Sequence, residues 1–403
     1  MSLLLLSDAS PLGADISFNG PMLALPYSLQ RLGFTYVRNS LKTVSQNNAI
    51  VTLSANQFGT TYDSVTGLHA FEAEPAATNL VTYSNDFSNA AWTKELATLS
   101  TGHTGPDGLA SATKVIPTAI SSTGHRIRAS IASNATICSF FVKSDGYSWV
   151  KIRSVNSYAN FNLSTGVAGT TNAASLIRPV GNGWYRCSLI YASNPATHYL
   201  YVDTADSAGL DTGAFTGDGT GGVLVFGAQV ETGARPTSYI ATAGATVTRA
   251  ADVLSTATAN LPGFNAAGYT LVGDARQDAS TGVSRDAISV SDGTTNNRTT
   301  IRLTSAAAVQ TLTVSASATI AAEAAITPAS SRFKAAYSSK ANAFLRAVNG
   351  VAGTAVTTGA MPVAPTSLYI GHYTGTLQFN GFIYGFKLIP VALNQAQTTA
   401  LTS

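Results

Sequence analysis

An all-β chain is predicted here by three observations. Apolar residues alternate with polar ones at period two in many short runs, and Gly-, Asn- and Asp-centred turn signals separate those runs. Charge is also scarce: 43 charged residues (23 basic plus 20 acidic) make up 11% of 403, against about 25% in an average soluble protein. Short strands with tight turns and few helical patterns bury their apolar faces best as packed sheets, so two tandem antiparallel β-sandwiches are expected after an irregular N-terminal arm.

The arm is read over residues 1–78. Turn formers (Pro11, Gly13, Asn19-Gly20-Pro21) interrupt short apolar pieces, of which 34–40 and 50–53 are candidate strands and 63–67 a turn. Leu3-Leu-Leu-Leu6 lacks the basic flank and the apolar length of about 7–15 residues that an export signal needs. No stretch approaches the roughly 20 apolar residues of a membrane span, so no membrane insertion is expected.

Residues 79–253 form the expected first sandwich. Runs at 139–143, 149–153, 199–203 and 223–226 alternate in strand fashion between Gly-Asn, Asp-Gly and Ser-Thr-Gly turns. Cys138 and Cys187 each alternate with apolar neighbours and read as buried free thiols. A polar stretch at 254–262, ending in Pro262, reads as a linker. The second sandwich is expected over 263–403. Its clearest strand places Phe382, Tyr384, Phe386 and Leu388 on one face, Asp292-Gly293 and Asn349-Gly350 signal hairpins, and Asn394 caps a short terminal helix.

Several function classes find no support. The net charge of +3 is scattered without a run of four basic residues, which gives nucleic acid no concentrated face. The five histidines show no His-x-x-x-His pair, no Gly-x-Ser-x-Gly elbow occurs, and Thr216-Gly-Asp-Gly-Thr-Gly-Gly222 lacks the Lys of a phosphate loop. No pair of acids stands out as a glycosidase pair, and no stacked repeats point to a β-helix. The chain therefore reads as non-enzymatic.

The positive signal is aromatic. Sugar C–H faces stack on Trp and Tyr while hydroxyls pair with amides and charged groups. Tyr147, Trp149, Tyr158, Tyr199 and Tyr201 interleave with Lys151, Arg153, Asn156, Asn160 and Asp203, and Tyr147, Trp149, Tyr199, Tyr201 and Asp203 are the candidate glycan-binding residues. Tyr199 and Tyr201 share one strand face, opposite Leu200 and Val202. Trp92 and Trp184 read as structural.

Motifs sharpen this reading. Asn79-Leu-Val-Thr-Tyr-Ser-Asn-Asp-Phe87, Gly181-Asn-Gly-Trp-Tyr-Arg-Cys-Ser188, Gly227-Ala-Gln-Val-Glu-Thr-Gly233 and Ser238-Tyr-Ile240 resemble a carbohydrate-binding-module-like jelly roll of bacteriophage and prophage tail or fibre proteins. Arg38-Asn-Ser40 and residues 74–80 resemble the entry and exit of the segment that leads into it. Ser291-Asp-Gly-Thr-Thr-Asn-Asn-Arg298, Ala347-Val-Asn-Gly350, Tyr369-Ile-Gly371 and Asn380-Gly-Phe-Ile383 are similar to a concanavalin or laminin-G-like domain. The resemblance implies a virion appendage on a phage particle surface, a tail fibre, spike or head fibre, that binds host cell-surface polysaccharide. It also implies docking to other virion subunits through the N-terminal region and a homo-oligomer, a trimer as in many fibres. A purely structural decoration protein and a polysaccharide-degrading tailspike stay open as alternatives. Related jelly rolls often hold a structural calcium; Asp203, Asp206, Asp211 and Asp218 fall in one loop, and Glu231 is expected near Asp86, with no ligand set assigned.

Overall fold

A computed structural model describes residues 14–122, 124–131, 135–154, 156–191, 197–203, 214–277, 283–322, 326–328, 331–373 and 377–403. The all-β expectation holds: the described residues form two antiparallel sandwiches and two short α-helices, Tyr27–Arg31 and Gln395–Ala400. None of these helices is long and apolar enough to cross a membrane.

The division of the chain differs from the tandem order read in the sequence. One sandwich is built from both ends of the chain. Its first sheet runs Val351–Ala352, Ala343–Val348, Arg332–Lys340, Gly268–Arg276, Gly381–Ile389, Leu68–Ala73, Thr61–Asp63, and Ala14–Ser17 also pairs with Gly381–Ile389. Its second sheet runs Thr35–Val37, Val253–Ala257, Ser367–Ile370, Arg285–Ser291, Arg298–Leu303, Val309–Ser315, Ala318–Ala322. Residues 14–73 are therefore no arm. Phe18, Phe34, Tyr36, Phe58 and Phe71 supply the aromatic side of this core, with Phe34 and Phe18 5.6 and 6.3 Å from Phe386 between ring centroids.

The expected linker at 254–262 is also corrected. Leu254 and Thr256 point inward and are buried, so Val253–Ala257 is a strand between Thr35–Val37 and Ser367–Ile370; only then do the 3-10 turn Thr258–Asn260 and Pro262 follow. Its small polar residues read as loop because a strand buried on one face needs only every second residue to be inward.

The second sandwich is inserted between those two chain segments. It leaves and rejoins the root sandwich through a two-stranded stem, Ala77–Asn79 against Val247–Arg249. One sheet runs Ala174–Gly181, Trp184–Ile190, Ile137–Asp145, Gly222–Glu231, Ala112–Pro117, Ala97–His103. The facing sheet runs Val167–Thr171, Ser157–Asn162, Trp149–Ser154, Thr197–Asp203, Arg126–Ser130, Trp92–Glu95. Between them lies a largely aliphatic core, with Val115, Val142, Val150 and Ile152 beside Phe140 and Phe161. Cys138 and Cys187 sit in it, free and fully buried, and burial pushes both thiols up. Trp92 packs on Phe87 at 5.0 Å and donates from its indole N–H to the Tyr83 carbonyl (2.8 Å), which fixes the entrance of the module.

The motif residues assemble where the two sandwiches join. The Asn79 amide donates to the carbonyls of Ala228 (3.0 Å) and Ile240 (2.8 Å). The Glu74 carboxylate accepts from the Ser238 backbone and hydroxyl (2.6 and 2.7 Å) and faces Lys42 at 3.1 Å. Asp252 accepts from Lys42 (2.7 Å), from the Glu74 amide (3.0 Å) and from the Tyr36 hydroxyl. Arg249 and Lys42 hold the Glu74 carboxyl well below the usual range despite the opposing effect of burial, which is the largest single influence on it.

Candidate functional site

Strand pairing decides which face of the inserted module is available. The outer face of the sheet containing Ile137–Asp145 carries Phe141, Trp184, Leu224 and Phe226, all buried with Tyr239 and Ile50. Ile50 belongs to the hairpin formed by Lys42–Gln46 and Ala49–Leu53, which folds over that sheet. Its tip turns at Asn47 and Asn48, both with positive φ, and the Asn182 amide donates to the Asn48 carbonyl at 3.1 Å. A Cβ on Gly181 would lie 2.4 Å from the Asn48 Cα, so the close approach requires glycine there.

The opposite sheet presents a different outer face. Val150 and Ile152 enter the core, so Trp149, Lys151 and Arg153 fall on the outside. Register then sets three rows across the strands. Trp149 lies between Asn162 and Asp203; Lys151 lies between Asn160 and Tyr201, with Arg126 and Glu95 beyond; Arg153 lies between Tyr158 and Tyr199, with Arg128 and Thr93 beyond. Four of the five candidate positions thus share one face.

Local packing shapes that face. The Trp149 ring lies against the backbone of Val167–Thr171 at Gly169, where an added Cβ would come within 2.7 Å of the indole; the ring stays half-buried. The Lys151 ammonium is 5.7 Å from the Tyr158 ring centroid and its side chain is buried, so its stem underlies the surface while Tyr158 is partly exposed. Asn160 donates to the Thr170 carbonyl at 3.2 Å. Asn162 accepts from the amides of Ser164 and Thr165 (2.9 and 3.1 Å), an Asx turn that holds the hairpin. Glu95 bridges Arg126 and Arg128, each half-exposed. The face is therefore one of flat rings beside fixed cations and amides.

Tyr147 is separated from this set. It precedes the strand, packs partly on the core, meets Phe215 at 5.9 Å between centroids, and accepts from the Asp218 amide at 3.1 Å. Its geometry pins the loop before Gly222–Glu231. Asn156 serves a turn, its carbonyl accepting from the Asn172 amide at 2.7 Å. The side chains of Tyr199, Tyr201 and Asp203 lie outside the described residues, and only their register is placed. Arg126, Arg128 and Glu95 were missed in the sequence. Their signal is the alternation Arg126-Ile-Arg-Ala129, in which Ile127 and Ala129 are core.

Among the described residues no group of three His, Cys, Asp or Glu side chains could hold a metal ion. Asp206 and Asp211 lie outside those residues. Asp218 accepts from the amides of Thr220 and Gly221 in an Asx turn (2.8 and 2.6 Å). Glu231 is not aimed at Asp86; it accepts from Thr237 and Gln229, and burial holds its carboxyl above the usual range.

No family model matches the chain, and no curated protein does. Solved structures are similar over part of it. One is the CBM40 module of Ruminococcus gnavus IT-sialidase bound to α2,3 sialyllactose, with 16% identity and a TM-score of 0.30, covering 34% of this chain and 83% of that one. Domain 4 of AbnA, a GH43 extracellular arabinanase from Geobacillus stearothermophilus in complex with arabinotriose, has 16% identity and a TM-score of 0.32 over 38% and 73%. Native heptameric SAP-like pentraxin from Limulus polyphemus has 13% identity and a TM-score of 0.25 over 34% and 70%. Likeness at this level assigns no ligand to the chain.

Proposed function

We propose that the chain is a non-enzymatic adhesin, displayed on a phage particle as a tail or head appendage, that binds host cell-surface polysaccharide through the open face of its inserted sandwich. The observation that carries this reading is the juxtaposition on one half-exposed sheet face of the Trp149 ring, laid on Gly169, with Tyr158, the arginines and the register positions of Tyr199, Tyr201 and Asp203. A flat ring backed by a glycine strand gives a sugar a stacking platform; neighbouring amides and cations give its hydroxyls partners. The phage setting rests on the motif resemblance alone. The buried acids Glu74 and Asp252 are engaged by Lys42 where the sandwiches join, and Asp63 by Arg276 within the root, which supports a structural rather than a catalytic role for these three carboxylates.

A single shallow sugar site binds weakly, so attachment gains from several copies held together, and a homotrimer is the assembly expected. Docking to other virion subunits falls to the root sandwich, which contains the N-terminal segment. Glycan-array binding by the full chain tests the reading. Trp149→Ala is expected to lower affinity at least about tenfold, as loss of an aromatic anchor does at other binding surfaces. Unchanged binding in that variant would remove the proposed face, and release of reducing ends from host polysaccharide would replace adhesion with catalysis. Immunogold labelling of particles checks the virion placement, and sedimentation equilibrium the trimer.

A further inference from the structure

A second site is indicated where the two sandwiches meet, independent of the open face. A recess of about 90 Å³ lies there, lined by Arg178 and Arg186 of the inserted module, by Glu72 and Phe382 of the root, and by Ser45 and Tyr62 at its polar side. That is several times the ~10–15 Å³ that accommodates one water, so a group of four or five heavy atoms fits. Tyr62 is 43% exposed, which leaves the recess open to solvent.

Two arginines and one acid are among its lining residues. The guanidinium carbons of Arg235, Arg276 and Arg178 lie 4.5, 4.7 and 5.9 Å from the centroid of the one Phe382 ring. Glu72 is the acid among the lining residues named, and it is engaged by Arg235. Asp63 engages Arg276 through both oxygens at 2.7 Å. Arg186 donates to the Thr237 carbonyl (2.5 Å) and the Ser139 hydroxyl (3.0 Å), while its buried Nε has no hydrogen-bond partner. Among the described residues no carboxylate comes within ion-pair distance of Arg186. Burial, followed by the nearby Arg235 and Arg276, pushes the Arg178 guanidinium down to about 10 against the pull of Glu72 and Asp63, and burial lowers Arg186 despite the more distant Glu231, Glu74 and Glu72. An anion in the recess would relieve both.

We propose that this recess binds a small oxyanion, a carboxylate or sulfate group, between Arg178 and Arg186. Planar guanidinium forks suit such groups, and the recess is too small for a whole glycan chain. The group is either a free inorganic ion or the acidic substituent of a saccharide.

Calorimetric titration of the full chain with sodium sulfate and, separately, sodium glucuronate tests this, with ionic strength held constant by chloride and glucose as the neutral counterpart. Saturable one-to-one binding of an anion is expected, with no heat from glucose. Sulfate alone identifies an inorganic-ion site, and glucuronate identifies an acidic saccharide. Arg178→Gln, at a partly exposed position, is expected to weaken binding at least tenfold with an unchanged circular dichroism spectrum; Arg186→Gln is expected to abolish it. Should Arg186→Gln fail to fold, Arg178→Gln decides. Trp149→Ala is expected to bind the anion normally, which separates this site from the glycan face. Absence of saturable binding, undiminished binding by Arg178→Gln, or loss of binding in Trp149→Ala would overturn the proposal.

Discussion

The two sandwiches solve the same packing problem with opposite chain economies. In the inserted module every strand of both sheets comes from one continuous stretch, and its core is largely aliphatic. The root sandwich draws Phe18, Phe34, Phe58 and Phe71 from before the insert and Phe333, Phe344, Phe379 and Phe386 from after it. The inserted module closes the core between its sheets with its own strands, whereas the root depends on two segments meeting across the length of the insert. A buried ion network marks that meeting. Lys42, Glu74, Arg249 and Asp252 are all at most 2% exposed in their side chains.

Fragments should break this comparison most decisively. Residues 76–250 alone are expected to fold cooperatively, since Ala77 and Arg249 already pair at the stem. The same fragment exposes Phe141, Trp184 and Phe226, so it should bind a hydrophobic dye that the full chain does not. Residues 253–403 without 14–73 are expected to stay unfolded by near-ultraviolet circular dichroism. A folded 253–403 fragment would show that the N-terminal strands only decorate the root.

Next in size is the ion network. Asp252→Asn leaves Lys42, Arg38 and Arg249 short of a buried countercharge, and breaking such a pair costs about 3–5 kcal/mol. A loss of that order in the urea unfolding free energy of the full chain is expected, with the slope against urea unchanged.

Acid should affect the inserted sandwich through His198 and the root through His372. Burial pushes His198 in the insert and His372 in the root down to about 4. In the unfolded chain each titrates near 6.5, so the unfolded state takes up protons first as pH falls from about 6.5 to 4, and stability is lost across that window by at most roughly 3 kcal/mol per histidine. Glu72, Glu231 and Asp286, raised by burial, protonate earlier in the folded state and act in the opposite sense. The variants therefore carry the test. His198→Asn should flatten the pH dependence of the unfolding free energy relative to wild type, and an unchanged slope would mean that His198 titrates alike in the folded and unfolded states.

The smallest stability effects fall on the open face. Trp149→Ala should change stability by under about 1 kcal/mol, because the ring is half-exposed, while glycan binding falls. Gly169→Val should displace the indole from the strand and weaken glycan binding with the fold retained.

Much of this was legible one strand at a time. The alternation at 149–153 locates Trp149–Ser154, Asn349 and Gly350 turn with φ of 48° and 75° as an Asn-Gly hairpin should, and Asn394 forms a capping box with Gln397. Cys138 and Cys187 are the buried thiols their apolar neighbours imply. Less legible was which side of a strand stays open. All ten residues of Gly222–Glu231 are buried, so alternation there cannot separate a core face from one covered by a distant hairpin. Tyr147, close in sequence to Trp149 and alike in chemistry, packs inward because it precedes the strand.

The sequence by itself determined the β class, most strand positions, the turns and the chemistry available for binding, because these follow from period-two patterning and residue conformational preference over a few neighbours. Only the tertiary structure decided that one sandwich is nested in the other, that the hairpin at 42–53 covers one sheet, and that no described strand packs over the outer face of the sheet bearing Trp149. Strand partners are chosen by burial across some 200 residues of chain, as with Leu254 against Tyr36, and local pattern carries no information at that range.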